Sequence, residues 1–137
     1  MRANFILNIG EYDMFIESNE GTIEVSVLED FKKELEKCFH VDGGNEIWCS
    51  MLGMPDDYPC LSILVDQTNA AVHYFADDNG NMFASIGDTS RDGTVTFLGG
   101  QYEVAAYQII SRDLTMEAAL QFFEKQERPD CIEWEDL

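Results

Sequence analysis

CLSILVDQTNAAVHYFADDNGNMFASI, residues 60–86, is the stretch whose reading decides the fold. Its first part alternates, so that Leu61, Ile63 and Val65 fall on one side of an extended chain. Residues 70–76 and 82–86 flank Asp77-Asp78-Asn79-Gly80-Asn81. Asn79-Gly80 is a strong signal for a tight hairpin turn, because the central positions of such a turn need positive φ. Three consecutive strands joined by short turns predict an antiparallel sheet.

Working outward, residues 46–52 read as another strand, followed by the acidic turn Pro55-Asp56-Asp57-Tyr58-Pro59. Residues 93–98 and 102–110 read as two more strands joined through Gly99-Gly100, and segments 4–9, 13–17 and 22–25 offer further ones. An amphipathic helix is expected over 27–39, with Ser26 and Glu29 as a capping box and Leu28, Phe31, Leu35, Cys38 and Phe39 along one face. A second helix is capped by Ser111 or Asp113 and runs to about Gln126, with Met116, Ala119, Leu120 and Phe123 as its stripe. Pro129 stops it, and the tail through Trp134 suits a short edge strand. The expectation is α+β: a single domain over residues 1–137, its multi-stranded antiparallel sheet packed against two amphipathic helices. Residues 1–20 read as an extra N-terminal hairpin.

Charge narrows the function classes. The 137 residues carry 27 Asp and Glu against 8 Lys and Arg, a net charge of −19 with histidines neutral. Phosphate binding needs Lys and Arg to displace counterions, so nucleic acid is an unsuitable ligand. Anionic membrane surfaces are unsuitable for the same reason. A basic protein partner is favoured, with steered association that weakens as salt rises. Residues 1–9 lack the long apolar stretch of a secretory leader, and Cys38, Cys49, Cys60 and Cys131 lack CxxC spacing. They read as reduced thiols of a cytoplasmic protein.

The catalytic inventory is nearly empty. Cys38 and His40 stand two apart at a helix end, where positions i and i+2 do not share a face. A zinc set of Cys38, His40, Cys49 and Cys60 lacks the close ligand pairs typical of structural sites. Asp56-Asp57, Asp77-Asp78 and Asp88 with Asp92 match no calcium loop, and no phosphate-binding glycine loop or GxSxG occurs. No cofactor and no metal are expected, and a binding protein is favoured over an enzyme.

The run Met116-Glu117-Ala118-Ala119-Leu120-Gln121-Phe122-Phe123, followed by Arg128-Pro129, Ile132 and Trp134, resembles the end of the Imm1 family of bacterial immunity proteins. Ala71-Val72-His73-Tyr74-Phe75 and Gly93-Thr94-x-x-Phe97 are similar to the family's central strands. The likeness covers about residues 70–137 and is strongest toward members directed against a double-stranded-DNA cytosine deaminase toxin. It implies a non-catalytic α+β protein that binds a cognate toxin, as a 1:1 heterodimer, and occludes its active site. Immunity against a nuclease or an ADP-ribosyltransferase is the alternative, and a small enzyme or metabolite-binding domain a more distant one. Pro129 and Trp134 then read as structural, setting a turn and covering the second helix's end. A toxin that grips nucleic acid needs a cationic groove, which carboxylates can occupy in place of phosphate. Asp56, Asp57, Tyr58, Asp77, Asp78, Asp88 and Asp92 are the expected toxin-binding residues, with Tyr58 as the aromatic anchor.

Overall fold

Strand pairing follows the turn signals. The computed structural model describes residues 13–51 and 58–137. Chain order is β1 (Met14–Ser18), β2 (Gly21–Val25), α1 (Leu28–Phe39), β3 (Asn45–Ser50), β4 (Cys60–Val65), β5 (Ala70–Phe75), β6 (Met82–Ile86), β7 (Thr94–Phe97), β8 (Tyr102–Ala105), α2 (Arg112–Lys125) and β9 (Glu133–Asp136). Seven of the strands form one antiparallel sheet in the order β2-β1-β3-β4-β5-β6-β9. The fold is α+β, and the tail strand sits at the sheet edge beside β6, as expected. The candidate strand over 4–9 and Leu52 lie outside the described residues; of the N-terminal hairpin expected over 1–20, only β1 and the turn into β2 are described.

Both helices cover one face of the sheet. Ile16, Ile47, Cys49, Leu61, Ile63, Val65 and Val72 point into a core closed by Phe31 and Leu35 of α1 and by Ala118, Ala119 and Phe122 of α2. Period two in the strands meets period near 3.6 in the helices, and water is excluded between them. Phe31 stacks on Phe123 with ring centroids 4.7 Å apart, which ties the two helices to each other. Asn45, wholly buried, donates from Nδ2 to the Cys38 carbonyl and accepts at Oδ1 from the Asn19 amide. One side chain thereby anchors the end of α1 and the β1–β2 turn to β3.

Three expectations need correction. The capping box does not form: α1 begins after Val27, which has no side-chain acceptor, and the Phe31 amide donates to the Val27 carbonyl instead. Glu29 and Asp30 in the first turn offset the exposed amides electrostatically. The α2 stripe is rotated, burying Thr115, Ala118, Ala119, Phe122 and Phe123 while Met116 and Leu120 are only half-buried. Its N-cap is Ser111, whose hydroxyl accepts from the Leu114 amide. The strand expected over 102–110 stops at Ala105 and turns through a short 3-10 segment, Ala106–Gln108. In the remainder of that expected strand, Ile110 forms an isolated bridge to Ala70 of the main sheet.

The strands expected on either side of Gly99-Gly100 do pair as a hairpin. β7 and β8 do not extend the main sheet; they pair with each other as a separate hairpin. That hairpin lies over the sheet's second face, where Phe97 and Val104 close on Leu64 and Ala71. β4 is therefore buried on both faces. Ser85 secures the junction: its buried hydroxyl accepts from the Val72 amide and donates to the Gln108 carbonyl at 2.7 Å. No helix among the described residues is long and apolar enough to cross a membrane.

Candidate functional site

Strand register places side chains of the second face in rows. One row runs Glu17, Trp48, Ser62, His73, Ala84, Glu135 across β1, β3, β4, β5, β6 and β9. The next runs Phe15, Ser50, Cys60, Phe75, Met82. The β7–β8 hairpin covers the row containing Leu64 and Ala71; in these two rows the small side chains Ser50, Cys60, Ser62 and Ala84 are buried, while the larger Phe15, Trp48, His73, Phe75 and Met82 are half-buried. Trp48 and Phe75 approach to 5.5 Å between ring centroids, and His73 lies 6.4 Å from Phe75. A shallow trough of about 300 Å³ runs between hairpin and sheet, lined by Glu46, Trp48, His73, Phe75, Tyr102 and Glu103 among others.

Carboxylates on this face are held in fixed directions. Glu46 accepts from Trp48 Nε1 at 3.2 Å and from the Tyr102 hydroxyl at 2.7 Å. Glu135 accepts from the Tyr107 hydroxyl at 2.7 and 2.9 Å and from Gln108 Nε2 at 3.4 Å. Both tyrosines are pushed above their ordinary pKa, chiefly by donating to a carboxylate that ionisation would repel. Among the described residues, no strand contains Lys or Arg. Lys32, Lys33, Lys37, Arg112 and Lys125 sit in the helices, and Arg128 follows α2; Arg91, between β6 and β7, is the exception among the described residues. The helical cations and the aromatic face are on opposite sides of the sheet.

The expected binding residues divide. Asp56 and Asp57 lie outside the described residues. Tyr58 is exposed just before β4, at the same end of the sheet as Asp77 and Asp78 in the β5–β6 turn. Asp88 and Asp92 follow the far end of β6, on the hairpin side. Asp77 accepts from the Asn79 amide and from Asn81 Nδ2, and Asp88 from the Ser90 amide and hydroxyl. These bonds hold both carboxyls below the ordinary carboxylate range. Sequence reasoning passed over Trp48, Phe75, Glu46 and Glu103. The signal that could have found them was the absence of basic residues from the strand segments, together with His73 and Phe75 two apart in one strand and Glu46 and Trp48 two apart in another.

Burial raises the thiol pKa of Cys38 and Cys49, so both are held protonated and unreactive. Burial also lowers His73 below its ordinary value of 6.5. The unfolded chain then takes up a proton that the folded chain refuses, so stability present above pH 6.5 declines as the pH falls through the depressed folded value. An NMR titration should give His73 a midpoint below 6.5, and His73→Gln should flatten the decline; a midpoint at or above the ordinary value would contradict the assigned burial.

The family model of immunity protein Imm1 matches residues 19–136. The chain belongs to the Imm1 family. This Imm1 chain is also 27% identical, over 128 residues, to the double-stranded DNA deaminase immunity protein of Burkholderia cenocepacia (strain H111), an alignment covering 90% of this chain and 100% of that protein. The Imm1 match reaches back through α1 to the β1–β2 turn, well beyond the C-terminal residues that carry the resemblance in sequence. In those residues Trp134 Nε1 donates to the carbonyl of Pro129, itself buried, at 2.7 Å, and Trp134 lies 6.2 Å from the Tyr74 ring. These contacts tie the segment after α2 to the edge of the sheet.

Proposed function

We propose that this Imm1 protein is the immunity partner of a cytosine deaminase toxin acting on nucleic acid, which it neutralises by binding the toxin's basic catalytic domain and occluding its active site. The carrying observation is the alignment with a double-stranded DNA deaminase immunity protein over that protein's whole length. A −19 chain with its described cations confined to one layer and the loop before β7 supports the reading, because it presents an anionic side to a groove built for phosphate. The complex is 1:1, forms in the cytoplasm of the producing cell, and requires no cofactor. The protein performs no chemistry itself: inhibition comes from filling the cleft.

The test uses the deaminase domain encoded in the neighbouring reading frame and a double-stranded DNA substrate. One equivalent of the immunity protein should abolish deamination, and raising salt from about 50 mM to about 500 mM should slow association by about tenfold or more. Undiminished deamination in the presence of excess protein would remove the proposal. Inhibition with salt-independent association would remove its electrostatic part.

A further inference from the structure

We infer that the open half of the second sheet face, centred on Trp48 and Phe75, is the surface that seats the toxin, and that its occupant is the arginine- and lysine-lined wall of the toxin's nucleic-acid cleft. This rests on the immunity reading above and goes beyond it by naming the contact. The residues are of the type that carries binding energy at interfaces, where buried aromatic anchors sit inside a polar rim. Trp48 and Phe75 form the aromatic centre, with His73 and Met82 beside them. Glu46, fixed by Trp48 and Tyr102, and the exposed Glu103 on β8 stand at the hairpin side. Asp77 and Asp78 bound the other side through the β5–β6 turn.

Charge selects the occupant. A guanidinium laid on an indole face gains from the ring quadrupole, and a carboxylate held beside that ring supplies a bidentate acceptor. Glu46 is tied directly to the Trp48 indole, so ring and carboxylate are presented together. A second copy of this chain would bring carboxylate against carboxylate and is disfavoured by the same arithmetic. The helical layer is the poorer candidate, because there Lys32, Lys33, Lys37, Arg112, Lys125 and Arg128 are interspersed among the acids, whereas the described strands carry acids and no Lys or Arg.

The experiment titrates the folded full chain into a catalytically silent deaminase domain from the neighbouring reading frame. The double variant Trp48→Ala/Phe75→Ala should bind about thirtyfold or more weakly, as expected for central anchors. Glu103→Lys, on an exposed side chain that leaves the core intact, should weaken binding by about tenfold, while Glu124→Lys on the exposed side of α2 should not. Because Trp48 is half-buried, a second measurement uses the unmutated chain labelled with 5-fluorotryptophan. On adding toxin the Trp48 fluorine resonance should shift and that of Trp134 should stay. Full-strength binding by the Trp48/Phe75 and Glu103 variants, or movement of Trp134 alone, overturns the surface while leaving the immunity function standing. If the unmutated chain binds no toxin at all, the function falls first and the surface with it.

Discussion

Replacing Phe31 by alanine should destabilise the protein by about 3–5 kcal/mol, a large part of the ~5–15 kcal/mol that holds a domain together. Phe31 is wholly buried and stacks on Phe123 at 4.7 Å, so its ring fills the seam between α1 and α2 above the sheet. The loss combines transfer of the ring to water with the cavity left among Leu35, Ala119 and Phe122. Denaturant unfolding is the direct measurement: the midpoint should fall sharply with little change in slope. Phe15, half-buried on the open face, is the internal comparison, and Phe15→Ala should cost well under half as much. Equal losses at the two positions would mean that the helix–helix seam is not where the core is concentrated. Toxin affinity of whatever fraction remains folded should be unaffected by Phe31→Ala, because the seam lies on the face away from the proposed contact.

Gly87→Ala should be comparably severe, about 3 kcal/mol or more, for a different reason. A Cβ at Gly87 would stand 1.9 Å from the Ile109 carbonyl oxygen and 3.0 Å from its carbonyl carbon, both backbone atoms that have no rotamer to escape into. The Gly87 amide also donates to the Tyr107 carbonyl at 2.6 Å, so the two segments cannot part without losing that bond. This contact is where the chain leaving β6 passes under the segment leaving β8, and it sets how the β7–β8 hairpin sits on the sheet. Gly80 is the contrast. It adopts φ of +90° in the β5–β6 turn, and a Cβ added there would meet nothing within 4 Å, so Gly80→Ala should cost only about 1 kcal/mol of conformational strain. A thermal or denaturant series ranking Gly87→Ala far above Gly80→Ala would confirm that space, not turn geometry, is the scarcer resource here. The reverse ranking would place the strain in the turn.

Much of the architecture was legible along the chain. β4 and β6 begin and end at the residues read from alternation and turn chemistry, and α2 starts from the Ser111 cap. The Imm1 likeness was visible in residues now seen to close the edge of the sheet, with Trp134 donating to Pro129. The candidate site was less legible. Like residues adjacent in sequence are conspicuous, yet Asp77 and Asp88 of the acidic loops stand beyond opposite ends of β6. Trp48 and Phe75, separated by 27 positions in the chain, meet only because β3 and β5 both flank β4 in a defined register.

Taken alone, the amino-acid order determined the kinds of element, the hairpin turns, the net charge and the family, because these depend on neighbours within a few residues or on composition. Tertiary structure decided which face the β7–β8 hairpin covers, which aromatic and acidic side chains share the uncovered remainder, and that Gly87 has no room for a methyl group. Those outcomes depend on contacts between segments far apart in the chain, and their free energy resides in burial and register that no local pattern encodes.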